Sequence, residues 1–222
     1  MMPDTTHVPG HSPVHGTDSA VRSADLLSRV KGVFAAKGFD GASMQDLARA
    51  AGISAGNFYR YFPSKNAIIE AMVAMDMARL EADFAAIMRS PDPRATLVEA
   101  IKRHLDDEDD DGALWAEIEA TALRKPEIGA ISGRFQDAVI GHLVRVFALL
   151  SGATPERAAA DYAAHAYLIV LLIKGSVISA CGDRTLPLAL ERRDLRPMVL
   201  RMIEGILTEI SGANPDVNTG SP

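Results

Sequence analysis

The chain has 222 residues, of which 48% are hydrophobic and only 5% aromatic, a composition typical of a helical protein built from Ala, Leu, Ile and Val. Its formal net charge of −6 argues against a protein that binds nucleic acid over its whole surface. The closest approach to a membrane span, residues 166–181, is short and interrupted by Lys174, and the N-terminus lacks the pattern of a secretory signal. The single cysteine, Cys181, excludes an intramolecular disulfide and favours a reducing cytoplasm.

Residues 1–20 are rich in Pro, Gly, Ser and Thr, and we expect them to form a disordered tail. Three histidines repeat there at four-residue spacing: His7, His11 and His15. On a helix they would form a metal-binding stripe, but the intervening Pro and Gly residues disfavour a helix. A weak chelator is the alternative to a plain tail. We assign no metal and no cofactor.

The first helical pattern covers residues 23–37, with Leu27, Val30 and Phe34 on its core face and Gly38 as its stop. A short helix follows, opened by Ser43 in a variant of the capping box and ended by glycine.

A tight glycine turn at Gly52 leads to a third helix, for which Ser54 supplies the cap. Phe58 and Phe62 lie four residues apart and are expected to face inward. The remaining positions place hydroxyl, amide and cationic groups on the sides and outer face: Asn57, Tyr59, Arg60 and Tyr61. Such a face is what a helix in the major groove of DNA requires. The alternative is a helical hairpin with solvated polar residues, which gives less reason to expose two tyrosines.

Charge is distributed unevenly along the chain. Residues 22–66 carry a balance of +4, whereas residues 67–222 carry −8 and the first 21 residues carry −2. A cationic head on an acidic body attracts phosphate at one end only. The distribution therefore supports the DNA-binding interpretation.

The second part of the chain contains six further helical patterns, bounded by capping residues, prolines and glycines. We place these helices at residues 65–89, 93–105, 113–124, 126–150, 155–181 and 195–210. The acidic run at 106–112 lacks the spacing of a calcium loop and is interpreted as a solvated loop. The helix at 155–181 is apolar on more than one face, which favours a homodimer through the last two helices over packing within one subunit.

Residues 26–70 resemble the DNA-binding domain of the TetR/AcrR-type transcriptional repressors. The resemblance rests on Phe34, Gly38 and Phe39 at the end of the first helix, on the Ala-Gly-Ile-Ser turn, on the Gly-Asn-Phe-Tyr-x-Tyr-Phe helix and on the following Ser-Lys, where Ser64 is expected to cap the fourth helix. It implies an all-α fold in which an N-terminal three-helix helix-turn-helix domain is joined by a long helix to a helical ligand-binding and dimerisation domain. The expected divisions are a tail at 1–20, the head at 21–66, the body at 67–211 and a second disordered tail at 212–222.

By the same resemblance, the protein is expected to be a cytoplasmic, ligand-responsive repressor that binds a palindromic operator as a homodimer. A small-molecule effector, apolar or cationic, would release it, and no membrane partner is expected. A helix-turn-helix activator is the first alternative. A helical metal-dependent enzyme is the second, although its histidines lack paired ligand spacing and no catalytic motif is present.

Geometry and resemblance together assign the contacts with DNA. The small residues at the start of the third helix approach base edges, and Arg60 reads guanine or binds a phosphate. The other expected contacts hold phosphates and fix register. The full set is Ser43, Gln45, Ala55, Gly56, Asn57, Tyr59, Arg60, Tyr61 and Lys65.

The effector site is expected among the middle helices, because family members commonly enclose their ligand there. Its candidate lining residues are Met88, His104, Trp115, Glu119, Phe135 and His142. Trp115 beside a carboxylate would suit a lipophilic cation, but each of these residues could equally be part of the core or the surface. A redox role for Cys181 is disfavoured, because a lone cysteine in an apolar helix usually serves packing.

Overall fold

The computed structural model describes residues 15–106, 112–179 and 192–213, and every regular element within these ranges is an α-helix. The helices are α1 (His15–Gly41), α2 (Met44–Ala51), α3 (Ala55–Tyr61), α4 (Lys65–Arg89), α5 (Pro93–Asp106), α6 (Gly112–Ala122), α7 (Pro126–Ser151), α8 (Pro155–Ser179) and α9 (Arg192–Gly212). The all-α fold expected from the sequence is confirmed. Most of the acidic run, Cys181 and the C-terminal tail from residue 214 lie outside the described residues.

Helix α1 differs from its prediction at both ends. It begins at His15, so the prediction of a disordered tail up to residue 20 is wrong for its last six residues. Near the other end Gly38 has φ 70° and ψ 167°, a conformation that is essentially restricted to glycine. The helix is broken there, as the sequence predicts, and then continues for one short turn to Gly41.

The caps of the next three helices are those predicted. The side chain of Ser43 accepts a hydrogen bond from the backbone N–H of Asp46 (3.1 Å) and completes the capping box of α2. Gly52 ends α2 in the left-handed conformation, with φ 74°. Ser54 and Ser64 cap α3 and α4 in the same way as Ser43 caps α2. Four local signals therefore fix the spacing of the three helices.

One hydrophobic core fills the head and extends beyond it. It contains the inner faces of α1, α2 and α3, with Phe34, Leu47 and Phe58 fully buried, and the first half of α4 as far as Val73. Four residues of α6 and α7 complete it: Leu114, Ile118, Ile128 and Ile131. The core therefore crosses the boundary that the sequence placed at residue 66, and α6 packs directly against α1.

A second core joins the second half of α4 to α5, α7, α8 and α9. In α9 the buried line is Ile203, Leu207 and Ile210, whereas the line through Met198 and Met202 is exposed, with Met202 at 53%. Both lines have helical spacing, so periodicity alone could not distinguish the buried line from the exposed one.

Helix α8 has an unusual amount of exposed apolar surface. By length and composition the stretch Pro155–Val177 could cross a membrane, with a mean hydropathy of 1.2, which the sequence argument did not anticipate. Only 22% of that stretch is buried within the subunit. Its exposed side chains include Tyr167, Leu168 and Leu171, and α9 adds Met198 and Met202. These five residues are called the α8–α9 apolar face below.

Candidate DNA-reading surface and effector cavity

Helix α3 turns its aromatic pair inward and its polar groups outward. Phe58 and Phe62 are buried, with ring centroids 5.3 Å apart, while Tyr59 is 49% exposed and Arg60 is also exposed. A side chain at Gly56 would meet nothing within 4 Å, so the backbone at the start of the helix is open to a close partner. The exposed edge of α3 is therefore made of a bare backbone, a phenol and a guanidinium group.

The other predicted residues of α3 are less exposed. Ala55 and Tyr61 are half-buried and pack against the head core. Asn57 is also half-buried, and its backbone N–H is used by the cap (3.3 Å to Ser54 Oγ). The guanidinium group of Arg60 lies 5.6 Å from the ring centroid of Tyr61. These contacts restrict the positions of the side chains on the outer face of α3.

At the start of α2, Ser43 and Gln45 are exposed. The hydroxyl of Ser43 donates to Asp46 Oδ2 (2.7 Å), and Asp46 also pairs with Lys37 (3.0 Å) and Arg49 (3.4 Å). Hydrogen bonds from Ser43 and Lys37 hold the pKa of Asp46 well below its usual range. A phosphate at Ser43 would compete with this carboxylate for the hydroxyl proton.

Lys65, an expected phosphate contact, is half-buried and bonded within the head. Its ammonium group donates to the backbone carbonyl of Phe39 (2.5 Å) and lies 4.8 Å from the centroid of that ring. The side chain thus ties the first residue of α4 to the end of α1. The sequence analysis missed this internal role, because Lys65 and Phe39 are 26 residues apart and no local pattern connects them.

Phe39 and its neighbour Asp40 are also joined to the body. Glu117 Oε1 on α6 accepts a hydrogen bond from the backbone N–H of Phe39 (2.7 Å). Lys125 Nζ lies 4.8 Å from the Phe39 ring centroid and 2.6 Å from Asp40 Oδ1. The hydrogen bond from Lys125 lowers the pKa of Asp40. The end of α1 is consequently fixed to α4, to α6 and to the loop before α7.

A cavity of about 270 Å³ lies among α4, α5, α6, α7 and α8. Its wall is mainly apolar, and four of the predicted residues line it: His104, Trp115, Glu119 and Phe135. The rings of Trp115 and Phe135 contact each other with centroids 4.9 Å apart. The predicted aromatic pocket thus exists in the middle helices.

Two other expected lining residues do not lie on the wall. His142 stacks on Phe84, which does line the cavity, at 4.8 Å between ring centroids, and contacts Arg145 through Nδ1 (2.5 Å). Burial and the charge of Arg145 lower the pKa of His142. Met88 points to the surface and is 41% exposed. Both residues belong to helices that line the cavity, α4 and α7, but neither side chain reaches its wall.

Four polar side chains meet on one side of the cavity. Glu119 Oε1 accepts from Lys174 Nζ (2.8 Å) and from the hydroxyl of Ser132 (2.7 Å), while Lys174 also donates to Gln136 Oε1 (2.8 Å). Burial raises the pKa of Glu119, but these hydrogen bonds outweigh it and the pKa lies below its ordinary value. Glu119 is therefore ionised and paired.

The sequence analysis named Glu119 but missed Lys174 as its partner. A usable signal was present, since a lysine within the apolar helix α8 requires a partner if it is not fully solvated. Helix α6 carries Glu119 on the cavity and Glu117 on the head, two positions apart. One short helix therefore touches both candidate sites.

Comparison with known proteins accords with this arrangement. Residues 26–72 match the family of bacterial regulatory proteins described as the tetR family. The head of this chain is therefore similar to the tetR family. The matched segment contains α2 and α3 completely, together with the Ser64 cap and the start of α4, so the family assignment and the head described above concern the same residues.

The chain is similar in sequence to one named transcriptional regulator and similar in fold to several solved structures. The HTH-type transcriptional regulator UidR of Escherichia coli K12 is 29% identical over 115 residues, which span 52% of this chain and 59% of UidR. Salmonella enterica GusR has the same fold, with a TM-score of 0.65 and 24% identity over 88% of this chain and 98% of GusR. A transcriptional regulator from Rhodococcus sp. Rha1 superposes with a TM-score of 0.66 at 23% identity, over 84% of this chain and 96% of the other.

The matched family is described as bacterial regulatory proteins, and this description favours a regulator over the metal-dependent enzyme considered from the sequence. Within residues 15–106, 112–179 and 192–213, no group of three or more His, Cys, Asp or Glu side chains is placed to hold a metal ion.

Proposed function

We propose that this protein is a cytoplasmic transcriptional repressor of the TetR type that binds a palindromic operator as a homodimer and is released by a small-molecule effector. The observation that carries the proposal is the exposed edge of α3, where Tyr59 and Arg60 face solvent above a buried phenylalanine pair. A helix with this arrangement can enter the major groove while its inner face stays in the core. The head is also the part of the chain with a positive charge balance.

Within the groove, the open backbone at Gly56 and the half-buried Ala55 would approach base edges. Arg60 is the best candidate for direct readout, because a guanidinium fork matches the O6 and N7 acceptors of guanine. Phosphate contacts would come from the start of α2 and the sides of α3, with Ser43, Gln45, Asn57, Tyr59 and Tyr61 as donors. Lys65 would add to the positive potential while it remains bonded to Phe39.

The α8–α9 apolar face supports the homodimer. Five large apolar side chains, each between 43% and 53% exposed, lie on the last two helices. A bilayer would also cover apolar residues of α8, but Lys174 of the same helix is bonded to Glu119 at the cavity, so that side of α8 belongs to the protein interior. A second copy of the chain is the simpler cover, and its two-fold symmetry would set two α3 helices about 34–36 Å apart, one turn of DNA.

The cavity and α6 support control by an effector. The cavity is bounded in part by Trp115 and Glu119, and the same helix reaches the head through Glu117. A ligand that displaces α6 would therefore also displace the end of α1. Because the cavity wall is mainly apolar, we infer an effector with a largely apolar body.

DNA binding can be tested by fluorescence anisotropy with the DNA upstream of the protein's own gene, against a scrambled duplex, over a series of salt concentrations. We expect preference for the upstream DNA and affinity that falls as salt rises. Tyr59→Ala should weaken binding with the fold intact by circular dichroism. The control is Arg89→Ala, which should leave DNA binding unchanged. Arg89 lies at the far end of α4, about 36 Å from Lys65 by helical rise. Binding that ignores both sequence and salt would exclude an operator-binding repressor.

Repression can be separated from activation in cells. A reporter placed behind the upstream DNA should be transcribed more strongly when the protein is deleted. Loss of transcription on deletion would identify an activator with the same DNA-binding head.

A further inference from the structure

The polar side of the cavity is formed by a matched pair of opposite charges. Glu119 and Lys174 lie 2.8 Å apart, and Ser132 and Gln136 bond to one or the other. We propose that the cavity selects a small uncharged ligand with an aromatic body and one hydroxyl group, which binds between Glu119 and Lys174. This inference rests on the proposed role of the cavity as the effector site.

A cationic ligand, one of the two effector classes that the sequence analysis left open, meets an unfavourable site. The charge of Glu119 is already matched by Lys174, and its lowered pKa keeps the carboxylate ionised and paired. A cation next to Glu119 would lie beside the ammonium group of Lys174, and like charges at this distance repel each other. It would also lose its own hydration on entering an apolar cavity.

An anionic ligand meets the converse problem. Lys174 would attract it, but Glu119 lies within hydrogen-bonding distance of the same ammonium group. The remaining Asp, Glu, Lys and Arg side chains of the wall are Asp76, Arg79 and Asp83, and Asp83 pairs with Arg103 (3.9 Å). An anion therefore could not reach Lys174 without displacing Glu119 and leaving a part-buried carboxylate unpaired.

A hydroxyl group suits both members of the pair. An ammonium group has three N–H donors and a carboxylate has about four acceptor positions. Two of the donors are used by Glu119 and Gln136, and the hydrogen bonds to Glu119 from Lys174 and Ser132 both end on Oε1. A hydroxyl can donate to Glu119 Oε2 and accept from Lys174, which a hydrocarbon cannot do. Placing a hydrocarbon there would shield polar groups from water without replacing its hydrogen bonds.

The size and shape of the cavity define the rest of the ligand. A volume of about 270 Å³ is slightly below that of most pockets for small molecules, roughly 300–1,000 Å³, so the ligand must be small. The Trp115 and Phe135 rings offer a surface against which a flat ring can pack. One or two fused rings with a single hydroxyl group fit these limits.

Four probes with the same two-ring body test the proposal: 2-naphthol, 2-naphthoate, 2-naphthylmethylammonium and 2-methylnaphthalene. Binding to the full chain is measured by isothermal titration calorimetry at pH 7. We expect 2-naphthol to bind about 30-fold more tightly than 2-methylnaphthalene, the factor for two additional hydrogen bonds of about 1 kcal/mol each. It should also bind about tenfold or more tightly than either charged probe, because a charge is costly to desolvate. Equal binding of all four, tighter binding of a charged probe, or no binding of any would overturn the proposal.

Charge-removing variants give a readout that a purely structural role would not produce. Glu119→Gln leaves Lys174 unmatched, and its preference should move towards 2-naphthoate. Lys174→Gln leaves Glu119 unmatched, and its preference should move towards 2-naphthylmethylammonium. Should either single variant fail to fold, the double variant Glu119→Gln/Lys174→Gln restores neutrality and should again prefer 2-naphthol. An unchanged order of probes in the folded variants would show that the pair does not read the ligand's charge.

The outcome is independent of the test for DNA binding. If 2-naphthol does not bind but the ligand-free protein still binds the upstream DNA specifically, the ligand class is wrong and the repressor proposal stands. If the protein binds 2-naphthol in preference to the other probes but does not bind DNA, the ligand class stands and the repressor proposal is wrong.

Discussion

The carboxylate of Glu117 on α6 accepts a hydrogen bond of 2.7 Å from the backbone N–H of Phe39, which lies 78 residues earlier at the end of α1. Thr121, one turn further along α6, donates to the same oxygen (3.1 Å). The bond joins the helix that borders the cavity to the helix that supports α2 and α3. The position of α6 is therefore transmitted directly to the head.

Glu117→Ala should destabilise the fold, because the part-buried N–H of Phe39 would lose its acceptor. The expected loss in the free energy of unfolding, measured by urea denaturation, is about 1–3 kcal/mol. Glu117→Gln keeps an oxygen in the same place and should lose clearly less. Equal losses for the two variants would mean that the hydrogen bond itself contributes little.

Gly38→Ala should also destabilise the same junction. The backbone at this residue has φ 70° and ψ 167°, and an added Cβ would lie 3.3 Å from Glu117 Oε1. We expect a loss of about 1–3 kcal/mol in the free energy of unfolding. The control is Gly32→Ala, an exposed position within α1 where a Cβ meets nothing within 4 Å, and it should be neutral or stabilising by about 0.5–1 kcal/mol. Similar effects at both glycines would contradict the argument.

The features that the sequence predicts correctly are local. The caps Ser43, Ser54 and Ser64 each bond to a residue three positions later, so the sequence contains both partners in one short window. Contacts between distant residues were missed, as at Lys65 with Phe39 and at Lys174 with Glu119, because they depend on how the helices pack.

The periodicity of apolar residues cannot show which side of a helix is buried when the helix has two apolar lines. Helix α9 offers one line through Met198 and Met202 and another through Ile203, Leu207 and Ile210, and only the packing of α7 and α8 decides which is buried. For the same reason, the residues of the cavity were predicted in part. Trp115 and Phe135 lie on its wall, whereas His142 lies behind it.

Arg60→Gln should distinguish the two roles considered for this arginine. If Arg60 binds a phosphate, affinity should fall equally for all sequences and the slope of log K against log salt should decrease by about 1. If it reads guanine, one base position of the operator should lose discrimination worth about 1–3 kcal/mol. Arg89→Gln removes an exposed charge at the far end of α4 and serves as the control. Unchanged affinity, slope and discrimination in Arg60→Gln would exclude both roles.

Asp46 gives the head a dependence on pH that can be isolated by substitution. Its pKa is held well below the usual range by hydrogen bonds from Ser43 and Lys37, so the ionised form is favoured in the folded state. This contribution to stability is complete above the unfolded pKa of about 3.9 and is lost as pH falls towards the folded pKa. Asp46→Asn should therefore be less stable than the parent at pH 6. The difference in the free energy of unfolding between the variant and the parent, measured by urea denaturation, should narrow below about pH 4. A difference that stays constant with pH would have a cause other than the ionisation of Asp46.

Met202→Glu tests the α8–α9 apolar face as the dimer interface. Met202 is 53% exposed in the subunit, and a second copy would cover it. A carboxylate buried there without a partner should raise the dissociation constant of the dimer by a factor of about 100 or more, which sedimentation velocity would detect as monomer. The control is Leu123→Glu, which places the same charge at a residue that is 90% exposed just after α6 and should leave the dimer intact. If both variants remain dimeric, the interface lies elsewhere. If Met202→Glu is monomeric but binds DNA as tightly as before, the proposal that a dimer binds the operator through two α3 helices is wrong.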